Sequence, residues 1–127
     1  MVPFVKRDDM PAIYLAHDIF VFPSLVEGMP LTLLEAMATG MPVVTTSSSG
    51  MADVVQDGVN GLLVPAANAE SLAAAIQELC ESVELRKRLG LEAQSSMRRY
   101  TWKQVTQKLE AILTLAVRNG KVASGVQ

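Results

Sequence analysis

The sequence has little from which to build a disulfide, a metal site or a membrane anchor. Its 127 residues include one cysteine, Cys80, and one histidine, His17. A single thiol closes no internal disulfide, so a reducing cytoplasm is the expected compartment. No second thiol or histidine cluster accompanies Cys80, and no metal or other cofactor is expected. Charged residues make up 19% of the chain and the net charge is −2. That balance excludes a broad basic face, so nucleic acid is not an expected partner. No apolar run approaches the ~18 to 20 residues of a membrane-spanning helix. The start, Met1 to Arg7, places its charge after the apolar residues, unlike a secretory signal.

What is present is half apolar, enough for one globular core. Short apolar runs alternate with helical segments in the first half. Val2 to Val5 is a weak strand candidate. Met10 to Ala16 reads as a short helix, with Asp9 as its cap and Pro11 in its first turn. Asp18 to Phe22 is a continuous apolar run stopped by Pro23 and Ser24, as expected of a strand buried on both faces. Pro30 opens a helix that Gly40 closes. Pro42 to Thr46 is the clearest strand by propensity. A short helix over Met51 to Gln56, a turn at Asp57-Gly58 and a strand over Gly61 to Pro65 follow.

From Asn68 the pattern is helical. Asn68 is the cap of a helix whose stripe comprises Leu72, Ile76, Leu79, Cys80 and Val83. Leu85, Leu89, Ala93 and Met97 mark a second helix, disturbed at Gly90. Thr101 and Gln104 form a capping box ahead of a third, and the tail from Arg118 frays. The fold class is therefore α/β: a Rossmann-like parallel sheet of about four strands, flanking helices and a helical C-terminal segment. Residues 1–117 make one domain and 118–127 the tail. Ligands of such sheets lie beyond the carboxyl ends of the strands, where the loops 23–29, 46–51 and 65–68 fall.

The chemistry concentrates in Pro23 to Met37. Glu27 follows a strand, and Gly28 permits a tight turn. The helix that Pro30 opens has no Ser, Thr, Asp or Asn at its start, so the amides of Leu31 and Thr32 lack a side-chain cap. Uncapped amides at the positive end of a helix dipole suit a phosphate. Glu35 lies within that helix among Leu31, Leu33, Leu34, Ala36, Met37 and Ala38, a setting that implies burial on nearly all sides. A carboxylate there needs hydrogen-bond donors. At 1.5 Å per residue it stands ~7 to 8 Å along the axis from the helix start. Glu27 and Glu35 thus bracket a candidate phosphate site and could each hold hydroxyls of a ligand with sugars on both sides of a diphosphate.

The stretch Asp18-Ile19-Phe20-Val21-Phe22-Pro23-Ser24, the Glu27/Glu35 pair with seven residues between, Glu35 to Val44 and Asp57 to Pro65 resemble retaining GT-B glycosyltransferases of family 4 (glycosyl transferases group 1). Leu85 to Gly90 and Tyr100-Thr101-Trp102 fit the same pattern, so the resemblance runs in order from about Met10 to about Leu113. It implies the C-terminal, nucleotide-sugar-binding part of such an enzyme, with Glu35 on the ribose hydroxyls and Glu27 beside the transferred sugar. The backbone of Gly28, Met29, Pro30, Leu31 and Thr32 then faces sugar and diphosphate. The implied partners are a nucleotide-sugar donor and a glycan or lipid acceptor held by an N-terminal domain outside this chain. Family members generally work without a metal.

The chain departs from the family where Met29 and Pro30 stand in place of an aromatic residue and a glycine; Pro30 removes one amide donor. Asp53 stands where a glutamate is common. The family's basic residues for the leaving diphosphate belong to upstream segments. The chain alone is therefore expected to be inactive, with self-association through an uncovered face. A non-catalytic nucleotide-binding module is the alternative, and a GT-B-fold epimerase ranks below it. His17 is expected at a partly buried helix end, Arg86, Lys87 and Arg88 on solvated helix faces, and the seven methionines as core filler.

Overall fold

A computed structural model describes residues 5–26 and 28–98. A 3₁₀ turn at Arg7–Asp9 leads into α1 (Met10–Leu15). Then come β1 (Phe20–Phe22), α2 (Leu31–Ala38), β2 (Val43–Thr46), α3 (Ser49–Ala52), β3 (Leu62–Val64), α4 (Ala69–Glu81) and α5 (Val83–Met97). The strands pair in parallel in the order β1-β2-β3, with Phe20 opposite Val43 and Val44 opposite Leu62. The α/β class holds, with three strands rather than about four among the described residues. Most of the Val2–Val5 candidate, the Thr101 helix and the 118–127 tail lie outside those residues.

Strand β2 is the centre of the structure and is buried at every position. Successive side chains of a strand face opposite ways, and its two valines serve two cores. Val43 packs with Tyr14, Leu33, Ala36, Met37, Met41, Met51, Val54, Val55 and Ala93. Val44 packs with Leu62, Val64, Ala75, Leu79 and Leu89. Helices therefore cover both faces of the sheet. Burial on both faces, expected of the Asp18–Phe22 run, belongs to β2 instead. β1 has one paired neighbour among the described strands, and all three of its residues are half-buried.

Several local expectations need correction. Helix α5 passes through Gly90 without interruption. A Cβ on Gly90 would fall 2.2 Å from the carbonyl oxygen of Gly40, so the glycine permits close approach of α5 to the turn after α2. Asp9 precedes α1 but makes no side-chain cap bond. The short helix expected over 51–56 forms instead over Ser49–Ala52. Cys80 is exposed, and Ala75 and Leu79 are the buried positions of α4. The methionines divide: Met37, Met41 and Met51 are buried, whereas Met29 is exposed.

The polar groups of the β3 side hold the chain to itself. The buried Asn60 amide donates to the Val54 carbonyl and the Ser96 hydroxyl and accepts from the Gln56 amide. Asp57 accepts from Leu63 N–H at 2.9 Å, giving a β3 amide a side-chain partner. Arg86 donates to the carbonyls of Leu79 and Cys80, and Arg88 to that of Gly58. These two arginines pin backbone rather than simply coat a solvated face.

Candidate functional site

The loop after β1 is held in place by the strand beside it. Thr45 and Thr46 follow Val43 and Val44 in β2, and their side chains are buried. Thr45 donates its hydroxyl to the Phe22 carbonyl at 2.9 Å, and Thr46 donates to the carbonyl of Ser24. The β2 threonines thus tie down the exit of β1, a role that propensity alone does not reveal. Gly28 rests on the start of α3: a Cβ on Gly50 would lie 1.7 Å from the Gly28 carbonyl oxygen. Position 50 must be glycine for these two backbones to meet. Beyond these anchors the loop is open, with Leu25 61% and Val26 83% exposed. Glu27 lies outside the described residues.

Helix α2 begins as its composition predicts. Pro30 is the N-cap residue, with extended backbone (φ −72°, ψ 124°), and among the described residues it brings no side-chain cap to this end. Gly28, Met29, Leu31 and Thr32 are exposed and Pro30 is half-buried, so this segment of backbone is presented at the carboxyl edge of the sheet. The helix is less enclosed than its apolar sequence implies. Leu33, Ala36 and Met37 are buried, but Leu31 is 63% exposed.

Glu35 shares this asymmetry. It is half-buried rather than enclosed, one turn beyond the helix start. The Tyr14 hydroxyl donates to Glu35 Oε2 at 3.0 Å. Both residues line a cavity of about 480 Å³ with Asp8, Met10, Pro11 and Ala38. Tyr14 is 5% exposed. Burial, the hydrogen bond to Glu35 and the charge of Glu35, in that order, push its pKa up to about 12, so the hydroxyl keeps its proton through the neutral range. Sequence reasoning missed Tyr14: 21 positions separate the pair, and no local spacing joins them.

Neither His17, Asp53 nor Ser24 lines the cavity that holds Glu35. His17 is exposed, not partly buried, with Nδ1 2.7 Å from the Ile13 carbonyl. Asp53 is exposed at the end of α3. Ser24 is bound into its own loop, its hydroxyl donating to the carbonyl of Val26. Among the described residues there is no group of three or more metal-ligating side chains, and no helix is long and apolar enough to cross a membrane.

A parallel sheet covered on both faces, with a glycine-bearing loop and a helix start at its carboxyl edge, defines an open α/β domain, whose ligands lie beyond the carboxyl ends of the strands. Residues 1–96 match the family of glycosyl transferases group 1, and the chain belongs to that family. It is 33% identical over 113 residues to a D-inositol 3-phosphate glycosyltransferase of Corynebacterium kroppenstedtii, an alignment covering 89% of this chain and 25% of that protein. Anabaena HepE in complex with UDP matches with a TM-score of 0.79 at 27% identity, over 85% of this chain and 30% of HepE. The C-terminal domain of LpcC, a group 1 glycosyl transferase from Francisella tularensis, matches with a TM-score of 0.73 at 26% identity, over 80% of this chain and 53% of that one. The chain spans between 21% and 30% of the length of such curated relatives.

Proposed function

We propose that this chain is the donor-side part of an enzyme that transfers a sugar from a nucleoside-diphosphate sugar to an acceptor, with retention at the anomeric carbon. The observation that carries the reading is a half-buried carboxylate, Glu35, in a cavity one turn behind a helix start without a side-chain cap. In this reading the diphosphate lies across the start of α2. The amides of Leu31 and Thr32 and the backbone of Gly28 and Met29 supply donors, and Pro30, having no N–H, supplies none. Glu35 accepts from the ribose hydroxyls, and Glu27 acts beside the transferred sugar. Helix-terminal amides and a carboxylate preset around a diphosphate bind and orient the donor.

The likeness to HepE, solved with UDP and with UDP-glucose, supports a nucleotide-sugar as the ligand. The acceptor, a glycan or lipid, is chosen by parts of the protein outside this chain. On its own the chain binds donor without completing transfer, a reading supported by its share of its relatives' length. Self-association through an uncovered face belongs to the same reading, and Leu25 and Val26 are exposed apolar surface that supports it.

Calorimetric titration with UDP, GDP and ADP tests the assignment. One of the three is expected to bind, and Glu35→Ala is expected to weaken it by about tenfold or more. Binding by none, or equal binding by both proteins, overturns it.

A further inference from the structure

We infer that Tyr14 is a positioning residue that presets the Glu35 carboxylate for the ribose hydroxyls of the donor. The inference rests on the ribose reading of Glu35 and concerns what holds that side chain. A glutamate on a helix surface samples many rotamers, and immobilising it on ligand binding costs affinity. Glu35 is half-buried, so its carboxylate also needs a donor before any ligand arrives.

Tyr14 meets both needs. Its ring is fixed, buried among Leu33, Ala36 and Met37 and edge-on to Phe20 at 6.0 Å between centroids. Its hydroxyl reaches Glu35 Oε2 at 3.0 Å, and both side chains line the same cavity. A carboxylate has about four acceptor sites. One bond to Tyr14 orients the group and leaves acceptor capacity for a vicinal diol. The hydroxyl can serve only as a donor to the ionised carboxylate, and its proton is retained at neutral pH.

The alternative is a tie that only fastens α1 to α2. Four forms of the full chain separate the two: wild type, Tyr14→Phe, Glu35→Ala and the double variant. Each is titrated with the diphosphate that binds wild type among UDP, GDP and ADP, and with its 2′-deoxy analogue; thermal melting monitors the fold.

The expected result is a loss of about tenfold for Tyr14→Phe with the ribonucleotide. The loss is expected to be much smaller with the deoxy analogue, and the double variant no weaker than Glu35→Ala. Equal weakening of both nucleotides by Tyr14→Phe overturns the positioning role and leaves a structural tie. Wild-type affinity in Tyr14→Phe alongside weak binding in Glu35→Ala overturns Tyr14 alone. Unchanged binding in both single variants, or no binding by wild type, overturns the ribose reading and this inference with it.

Discussion

Helices α2 and α4 flank the sheet from opposite faces, and their ends are treated differently. Helix α4 is closed at both ends. Asn68 accepts from the Ser71 amide at 2.9 Å, and Arg86 covers the carbonyls of Leu79 and Cys80. Helix α2 starts at a proline with no side-chain cap and leaves Leu31 exposed. It also carries a carboxylate whose donor comes from another helix. The cap on α4 stabilises the fold; in the proposed reading the start of α2 keeps its first amides for the diphosphate of the donor. On that reading the difference separates scaffold from proposed site.

The largest test strikes the scaffold where α5 meets the turn after α2. Gly90→Ala sets a methyl 2.2 Å from the Gly40 carbonyl oxygen, and Gly40 already holds φ +80°. We expect a loss of about 2–4 kcal/mol in urea unfolding, because backbone must move to admit the methyl. A neutral substitution would mean that α5 is not tightly seated there.

The next test uses pH and falls on the site. The Tyr14 pKa is raised to about 12, above the ~10 of an unfolded tyrosine. A raised pKa gives stability that is complete below pH 10 and is lost as pH climbs through 12. The two-unit difference corresponds to on the order of 2 kcal/mol. Urea melts at pH 9 and 11.5 should show this decline in wild type and a flatter profile in Tyr14→Phe. Parallel profiles would remove Tyr14–Glu35 as its source.

The smallest effects exchange the two helix starts. Asn68→Ala should cost about 1 kcal/mol of stability and leave diphosphate affinity unchanged. Pro30→Ser puts a capping hydroxyl on α2, where the extended backbone accepts one. Its stability should stay within about 0.5 kcal/mol, since the new cap offsets the freedom returned to the unfolded chain. Diphosphate affinity should fall by about threefold or more as the serine oxygen competes for the same amides. Equal affinity in wild type and Pro30→Ser would show that the start of α2 is not the anion site.

Much of this contrast was legible in residue order. Asn68 announced a cap, Pro30 announced its absence, and the run Val43–Thr46 announced a central strand, because each depends on chemistry within a few residues. Burial was read less well. Both the 18–22 run and the Leu31–Ala38 helix are apolar enough for full enclosure, yet β1 stays half-buried and Leu31 exposed. Hydrophobicity states what a residue tolerates, while its place in the sheet decides what covers it. Gly90 was misread for the same reason: a helix breaker by propensity, it is a point of close contact once Gly40 is opposite.

The sequence by itself determined the α/β class, the order of the elements and the uncapped helix carrying Glu35, since periodicity, β-branching and capping are local properties. Only the tertiary structure decided that Tyr14 reaches Glu35, that Thr45 and Thr46 anchor the loop after β1, and that Gly28 rests on Gly50. Those contacts join positions some 20 residues apart. Such pairs meet only when the parallel sheet and the helices packed on it bring successive segments of the chain side by side.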